Sequence, residues 1–211
     1  MRVVGLTGGI ASGKTTFAEA LRARGAPVVD ADALARAAVA PGSAALADIV
    51  RTFGPDLIAP DGTLDRRRMA ALVFGDPEAR ARLEAITHPA VRRGLAEETA
   101  RLAAEGHDLV FYDTPLLFEV GLDPTLDCVV VVWAPPDVQR ARLLARDGLA
   151  ASEADARLAA QLPIDEKAAR ADFVVENVGP GAELGPKADR LLADLRRGLG
   201  RKLPNASPVR Y

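Results

Sequence analysis

The stretch that decides the fold lies near the amino terminus, where residues 8–15 read Gly8-Gly9-Ile10-Ala11-Ser12-Gly13-Lys14-Thr15. It fits the pattern G-x-x-x-x-G-K-[ST], in which small residues let backbone N–H groups point at phosphate oxygens. The apolar run at residues 2–7 predicts a buried strand before it, and residues 15–22 predict a helix after it. Because a helix amino terminus attracts anions, this context indicates a polyphosphate-binding loop and not a bare glycine-rich turn.

The composition is that of a globular chain with little net charge. The 211 residues are 49% hydrophobic, with a formal net charge of −2, and suit one α/β domain with an insertion. The lack of a basic excess argues against a nucleic-acid partner. No run reaches the roughly 18 apolar residues of a membrane span, and no secretory leader pattern is present. The one cysteine, Cys128, lies in an apolar run and is expected to be buried and inert. These features predict a cytoplasmic protein without a membrane partner.

Strand and helix patterns alternate along the chain. Apolar runs predict strands at residues 2–7, 26–30, 109–113, 128–133 and 173–177. Helical patterns fill residues 137–171 and about 185–199. Such alternation predicts a doubly wound parallel α/β sheet, here with five strands.

The long gap between the second and third strands sets the domain organisation. Residues 32–106 contain helical patterns and far exceed one crossover helix, so they are expected to form a helical insertion. We place it beside the carboxyl edge of the sheet, where ligands bind in such folds. Residues 1–31 and 107–200 then form the nucleotide-binding core. Residues 201–211 contain two prolines and no periodicity, which predicts a loose tail.

Two acidic residues lie at the end of the second strand. Asp30 and Asp32 stand two apart on what is predicted to be extended chain, so their side chains would point to the same side. One could accept a proton from an attacking hydroxyl while the other orients it or Mg²⁺. Aspartate also caps helices well, and a helical pattern starts directly after them. The local pattern leaves both interpretations open.

A third carboxylate ends the third strand. Asp113 closes an apolar run, as does the usual carboxylate partner of a phosphate loop, which holds Mg²⁺ directly or through water. With it, the Thr15 hydroxyl can ligate Mg²⁺, and Lys14 can reach the β- and γ-phosphates. The alternative is a turn-forming aspartate before Pro115.

Basic residues offer weaker signals. Arg142 and Arg146 lie four apart on a predicted helix and share a face, where they could close over a γ-phosphate or simply face solvent. Arg140 lies off that face. His88 precedes Pro89, which predicts a break at the end of the preceding helix, with His88 as a helix-ending side chain or a substrate contact.

Beyond the loop, several ordered motifs resemble those of the dephospho-coenzyme A kinases. They are Val29-Asp30-Ala31-Asp32, Leu64-Asp65-Arg66, Ile86-Thr87-His88-Pro89, Asp113-Thr114-Pro115-Leu116-Leu117-Phe118-Glu119, Arg146-Asp147-Gly148, Gln161, and Ala171-Asp172 through Asn177. Ala11 stands where the family usually has glycine. We expect little harm from it, with a slightly stiffer loop. Thr15 keeps the hydroxyl of the commoner serine.

The resemblance implies a P-loop kinase-like fold with a helical acceptor-binding insertion and a helical lid at about residues 136–171. It implies phosphorylation of the ribose 3′-hydroxyl of dephospho-coenzyme A by ATP with Mg²⁺. The expected partners are these two substrates, and the expected state is a monomer or a weak homo-oligomer.

The resemblance also assigns site residues. Asp32 resembles the base and acts with Lys14 and Arg142 in catalysis. Acceptor contacts fall to Asp32, Arg66, His88 and Glu119, and Mg²⁺ contacts to Thr15 and Asp113. ATP contacts fall to Gly8, Gly9, Ala11, Ser12, Gly13, Lys14, Thr15, Thr16, Arg140, Arg142, Arg146 and Asn177.

Two rival functions remain at this level. Another small-molecule kinase on the same scaffold, such as a nucleoside monophosphate kinase, fits the phosphate loop but not the motifs around His88 and at residues 115–119. A nucleotide-dependent switch is disfavoured because no Asn-Lys-x-Asp element for guanine is evident.

Overall fold

The computed structural model describes residues 1–179, 183–198 and 207–211. Within them, the strands are β1 (Arg2–Gly8), β2 (Val28–Asp30), β3 (Leu109–Asp113), β4 (Cys128–Trp133), β5 (Phe173–Glu176) and β6 (Val209–Arg210). The α-helices are α1 (Lys14–Arg22), α2 (Ala31–Ala38), α3 (Ala44–Phe53), α4 (Arg66–Val73), α5 (Pro77–Ala104), α6 (Pro136–Asp147), α7 (Ala151–Ala159), α8 (Ile164–Arg170) and α9 (Leu184–Arg196). None of these helices is both long enough and apolar enough to cross a bilayer.

The chain divides into two compact units. Met1–Val28 and Leu102–Tyr211 form what we call the core unit, and Val29–Arg101 form the helical unit. We predicted an acceptor-binding insertion at residues 32–106 and a lid at about residues 136–171. The functions of these two segments remain predictions.

The sheet runs in the order β2-β3-β1-β4-β5-β6. Its pairings of β1 with β3 and β4, of β4 with β5, and of β5 with β6 are parallel. The prediction of a parallel α/β sheet is therefore confirmed. The predicted number of five strands is wrong, because the described residues contain a sixth strand, β6.

β4 shows why the core forms as it does. All six of its residues are apolar, as suits a strand covered on both faces. Cys128, Val130 and Val132 pack on one face with side chains from α1 and α9. Val129 and Val131 pack on the other face with Ile164 and Ala168 of α8. Cys128 is buried as expected, and burial raises the pKa of its thiol to about 12.

The last five residues are not the loose tail that we expected. The N–H of Tyr211 donates to the Val174 carbonyl (3.0 Å), and the Tyr211 carbonyl accepts from the Glu176 N–H (3.1 Å). The Tyr211 ring stacks on Phe173, with centroids 6.1 Å apart. A two-residue strand is too short to show alternation, and Pro208 before it is tolerated because an edge strand can lack a donor. The rest of the predicted tail, residues 201–206, lies outside the described residues.

The helical unit has its own small core. Its buried side chains come from α3, α4 and the loops beside them, and Leu83, Ile86 and Ala90 of α5 pack against them. The expectation that residues 32–106 are helical, without a convincing strand, agrees with the structure, in which the β-type pairing of these residues is a single bridge between Ile58 and Leu64.

The break predicted at Pro89 is wrong, since α5 continues through it to Ala104. Pro89 has no N–H for the carbonyl of Ala85, but both residues are exposed, so water can take the donor's place. On the inner side, the apolar stripe containing Leu83 and Ile86 packs into the core before the proline and Ala90 packs after it. Packing on both sides of Pro89 outweighs its helix-breaking tendency.

The docking of β6 makes a prediction about stability. Tyr211→Ala removes the stacked ring, and we expect it to lower the free energy of unfolding by about 2 kcal/mol. Tyr211→Phe keeps the ring and loses only the bond from the hydroxyl to Asp194, for a loss of about 1 kcal/mol. Urea unfolding followed by the fluorescence of the single tryptophan, Trp133, measures both values. Unchanged stability in Tyr211→Ala would show that β6 does not stabilise the sheet.

Candidate active site

The loop between β1 and α1 is shaped by close backbone approaches. A Cβ on Gly8 would lie 2.7 Å from the Val132 carbonyl oxygen, a contact that backbone cannot relieve. Gly13 caps α1 with φ 94°, in the left-handed region that favours glycine. These two fixed positions of the motif therefore need glycine for steric reasons. The loop leads into the amino terminus of α1, as a phosphate-binding loop requires.

Ala11 is the one non-glycine residue of the described chain with positive φ, at 58°. A left-handed conformation costs an L-residue about 1–2 kcal/mol. The expectation that alanine does little harm here assumes an ordinary backbone conformation. The structure shows instead that Ala11 is strained, which explains why glycine suits this position.

Lys14 and Asp113 form an ion pair at the end of the loop. Asp113 ends β3 and pairs in register with Leu6 of β1, so its carboxylate lies beside the strand that leads into the loop. Both side chains are largely buried, with 17% and 12% of their surfaces exposed. Thr15, the next residue of α1, is exposed. A hydroxyl and a carboxylate oxygen are hard ligands of the kind that Mg²⁺ prefers. The side chains of Thr15 and Asp113 therefore suit the ion.

Asn177 and Arg142 are linked to the loop. The Asn177 side chain is buried, and its Nδ2 donates to the Ser12 carbonyl at 2.7 Å. Arg142 Nη2 donates to the Asn177 carbonyl at 3.1 Å. Arg142 Nη1 and Ser12 Oγ are buried and make no hydrogen bond within the described residues. A buried guanidinium N–H without an acceptor is costly, and an anionic ligand would satisfy it.

The other two arginines of α6 have carboxylate partners away from the loop. Arg140 Nε lies 2.6 Å from Asp155 of α7, and this hydrogen bond raises the pKa of the guanidinium. Arg146 Nε lies 2.6 Å from Asp147, which also accepts from Arg157 at 3.0 Å. Of the three predicted ATP-contacting arginines, the structure connects only Arg142 to the loop.

Glu119 lies in a network that sequence reasoning missed. Its Oε1 accepts from Lys167 Nζ (2.7 Å) and from the Leu162 N–H (3.0 Å). Burial raises the pKa of Glu119, but the hydrogen bonds from Lys167 and Leu162 outweigh it and leave the pKa below its ordinary value. Lys167 is fully buried and also donates to the Pro115 carbonyl at 2.8 Å. Because its neighbours in sequence are acidic, Lys167 resembles a residue of a solvated helix face, and no local signal predicts that it is buried.

Gln161 contacts the loop directly. Its Oε1 accepts from the Ile10 N–H at 2.9 Å. In the sequence, Gln161 stands only among the motifs of the family resemblance, without an assigned role. Its position between α7 and α8 offers no pattern from which such a contact could be predicted.

In the helical unit, the two aspartates at the end of β2 and just after it have separate environments. Asp30 caps α2, and its Oδ1 accepts from the N–H groups of Asp32 (2.8 Å) and Ala33 (3.2 Å). Asp32 is exposed in the first turn. The expectation that both stand on extended chain is wrong, because α2 begins at Ala31. The capping role falls to Asp30 and leaves the Asp32 carboxylate accessible.

The other acceptor candidates of this unit are exposed. Arg66 is the first residue of α4 and lines a cavity of about 420 Å³ with Arg36, Thr63 and Leu64. His88 lies on α5, off the stripe that packs into the core. The cavity thus brings together two guanidinium groups and an apolar wall.

The strain at Ala11 can be measured. We expect Ala11→Gly to leave the free energy of unfolding unchanged or to raise it by up to about 1 kcal/mol, because relief of strain offsets the entropy of the unfolded glycine. Ala145→Gly is the matched control, since Ala145 is exposed within α6 and ordinary helix propensity predicts a loss of about 1 kcal/mol. Equal losses in both variants, measured by urea unfolding, would contradict the strain at Ala11.

Comparisons with known proteins show the family of this chain. The family model for dephospho-CoA kinase matches residues 2–183. A dephospho-CoA kinase of Anaeromyxobacter dehalogenans is 74% identical over 211 residues and is covered completely, as is this chain. The crystal structure of a Thermus thermophilus protein is 43% identical, with a TM-score of 0.79, over 92% of this chain and 97% of that one. The dephospho-CoA kinase from Campylobacter jejuni is 30% identical, with a TM-score of 0.70, over 93% and 98%. Since these matches cover nearly the whole chain, it belongs to the dephospho-CoA kinase family.

Proposed function

We propose that this chain transfers the terminal phosphoryl group of ATP to the ribose 3′-hydroxyl of dephospho-coenzyme A, the last step of coenzyme A biosynthesis. The observation that carries the proposal is the glycine-shaped loop that ends in the Lys14–Asp113 pair, in a chain that matches this family over residues 2–183. Binding a triphosphate requires backbone donors and a cation at one place, and this loop supplies both.

ATP is held at the loop in this proposal. Backbone N–H groups of residues 8–16 cradle the phosphates, except that of Ile10, which donates to Gln161, and Lys14 moves from Asp113 to the β- and γ-phosphates. The free Nη1 of Arg142 is the best placed of the lid arginines, since Arg142 is already bound to Asn177 beside the loop. Arg140 and Arg146 contact ATP only after exchanging their present carboxylate partners for phosphate oxygens.

Thr15 and Asp113 would hold Mg²⁺. The ion would supply positive charge that stabilises the negative charge of the phosphate groups. Lys14 would exchange Asp113 for the phosphates, and the ion would then pair with the Asp113 carboxylate.

The helical unit supplies the acceptor side. Asp32 is the proposed base, because its carboxylate is exposed while Asp30 is committed to capping α2. The arginine-lined cavity with Arg66 suits the diphosphate of dephospho-coenzyme A, since guanidinium groups pair well with phosphate oxygens. His88 and Glu119 are the further acceptor contacts proposed.

Residues 136–171 act as a lid that excludes water, so that the sugar hydroxyl reacts in its place. The proposed setting is a cytoplasmic monomer or weak homo-oligomer that binds neither nucleic acid nor membranes. The net charge of −2 supports the absence of a nucleic-acid partner.

An acceptor assay tests the function. Purified protein with ATP and Mg²⁺ is expected to phosphorylate dephospho-coenzyme A, with the new phosphate at the 3′ position by mass and by NMR. AMP, CMP and UMP serve as rival acceptors, and Lys14→Ala as the inactive control. Transfer to a nucleoside monophosphate in preference would make the chain a kinase of that class. ATP hydrolysis without transfer to any acceptor would make it a switch.

The base assignment has a matched pair of variants. Asp32→Asn is expected to lower kcat by about 10²- to 10⁴-fold with little change in the KM for ATP, as loss of a general base does. Asp30→Asn removes the neighbouring charge but keeps the helix cap, because asparagine caps as well as aspartate. We expect it to retain kcat within a few-fold. A kcat near wild type in Asp32→Asn would remove Asp32 from the role of base.

A further inference from the structure

Gln161 joins the phosphate loop to the segment between α7 and α8. Its side-chain Oε1 accepts the N–H of Ile10, the third residue of the loop, at 2.9 Å. The contact spans 151 positions of sequence, so it depends on the tertiary fold and not on a local turn. Gln161 is partly buried, and so is Ile10.

The bond lies where the loop needs support. Ile10 directly precedes Ala11, whose left-handed conformation is strained. The loop has one internal backbone bond, from the Ser12 N–H to the Gly9 carbonyl (3.1 Å), and Asn177 holds the Ser12 carbonyl. Gln161 therefore holds the loop before the strained residue, and Asn177 holds it after.

The backbone next to Gln161 is itself held. The Leu162 N–H donates to Glu119, and Glu119 pairs with the fully buried Lys167. Lys167 also donates to the Pro115 carbonyl, which in turn accepts from the Thr7 hydroxyl at 3.2 Å. A chain of contacts thus runs from the end of β1 through Lys167 and Glu119 to the segment that carries Gln161.

We propose that Gln161 is a positioning residue for ATP binding and that Lys167, acting through Glu119, keeps Gln161 in place. Gln161 holds the Ile10 peptide so that the loop has its ligand-binding shape before ATP arrives. Without it, ATP must order that peptide at the cost of binding free energy. The proposal rests on the proposed function only in that ATP is the nucleotide bound.

The main test replaces the acceptor oxygen. Gln161→Met keeps the length of the side chain and removes the oxygen, and Arg157→Met makes the same new side chain on neighbouring α7 as a control. We expect Gln161→Met to weaken ATP binding about three- to tenfold, the range of one lost hydrogen bond. The dissociation constant is measured by calorimetry without acceptor. The KM for ATP should rise in parallel, while kcat and the KM for dephospho-coenzyme A stay within twofold.

Other results overturn the proposal. A lower melting temperature with an unchanged dissociation constant would show a purely structural role, and an equal weakening in Arg157→Met would show a general effect of the region. Gln161→Glu keeps an acceptor but places negative charge beside the triphosphate. It is expected to retain the melting temperature and to weaken ATP binding, more at low salt than at high salt. If wild-type protein binds ATP but transfers no phosphate, the proposed function fails while these binding constants still decide the role of Gln161.

A double-mutant cycle tests the part played by Lys167. If Lys167 acts through Gln161, Lys167→Met weakens ATP binding alone but adds little in a Gln161→Met background. Additive effects on ATP binding would show that Lys167 and Gln161 act independently. Since Lys167→Met leaves Glu119 without its buried partner, Lys167→Gln, which keeps a hydrogen-bond donor, is the second variant. The role proposed for Lys167 would be overturned if a folded Lys167→Gln protein bound ATP as the wild type does and showed no coupling to Gln161→Met.

Discussion

The site depends on a steric constraint in the turn between β1 and α1. Gly8 lies so close to the Val132 carbonyl that no side chain fits, and Gly13 takes a left-handed conformation at the start of the helix. These two positions let the chain reverse within a few residues and direct its N–H groups inward. The side chains around the loop, from Asn177 to Gln161, then support a backbone shape that its own hydrogen bonds hold only in part.

The basic side chains of the core unit are mostly held by carboxylates. Lys14 contacts Asp113, and Arg140 contacts Asp155. The Arg140–Asp155 pair is exposed and contributes little stability, whereas the side chains of Lys14 and Asp113 are largely buried. Arg142 is the exception, because one of its N–H groups is buried without a partner in the described residues. Of these three basic side chains, Arg142 is therefore the one with a buried N–H group that an anion would satisfy.

Sequence reasoning succeeded where one local rule governs the chain. The apolar run of β4 and the glycine spacing of the loop each have one physical explanation, and the structure agrees with both. It failed where distant contacts decide. Pro89 sits inside a helix because packing on both sides of it outweighs propensity, and two-residue β6 is recognisable only once β5 lies beside it. The roles of Lys167 and Gln161 depend on partners 48 and 151 positions away, which no local pattern can indicate.

The buried thiol of Cys128 has a practical consequence. It is the one cysteine of the chain, it is fully buried at the start of β4, and its pKa of about 12 leaves almost no thiolate at neutral pH. Maleimide reagents are attacked by thiolates, so we expect Cys128 of the native protein not to react with them. A cysteine introduced on any exposed helix would carry a dye or spin label alone, and distances between labelled sites could be followed during turnover with the natural core intact.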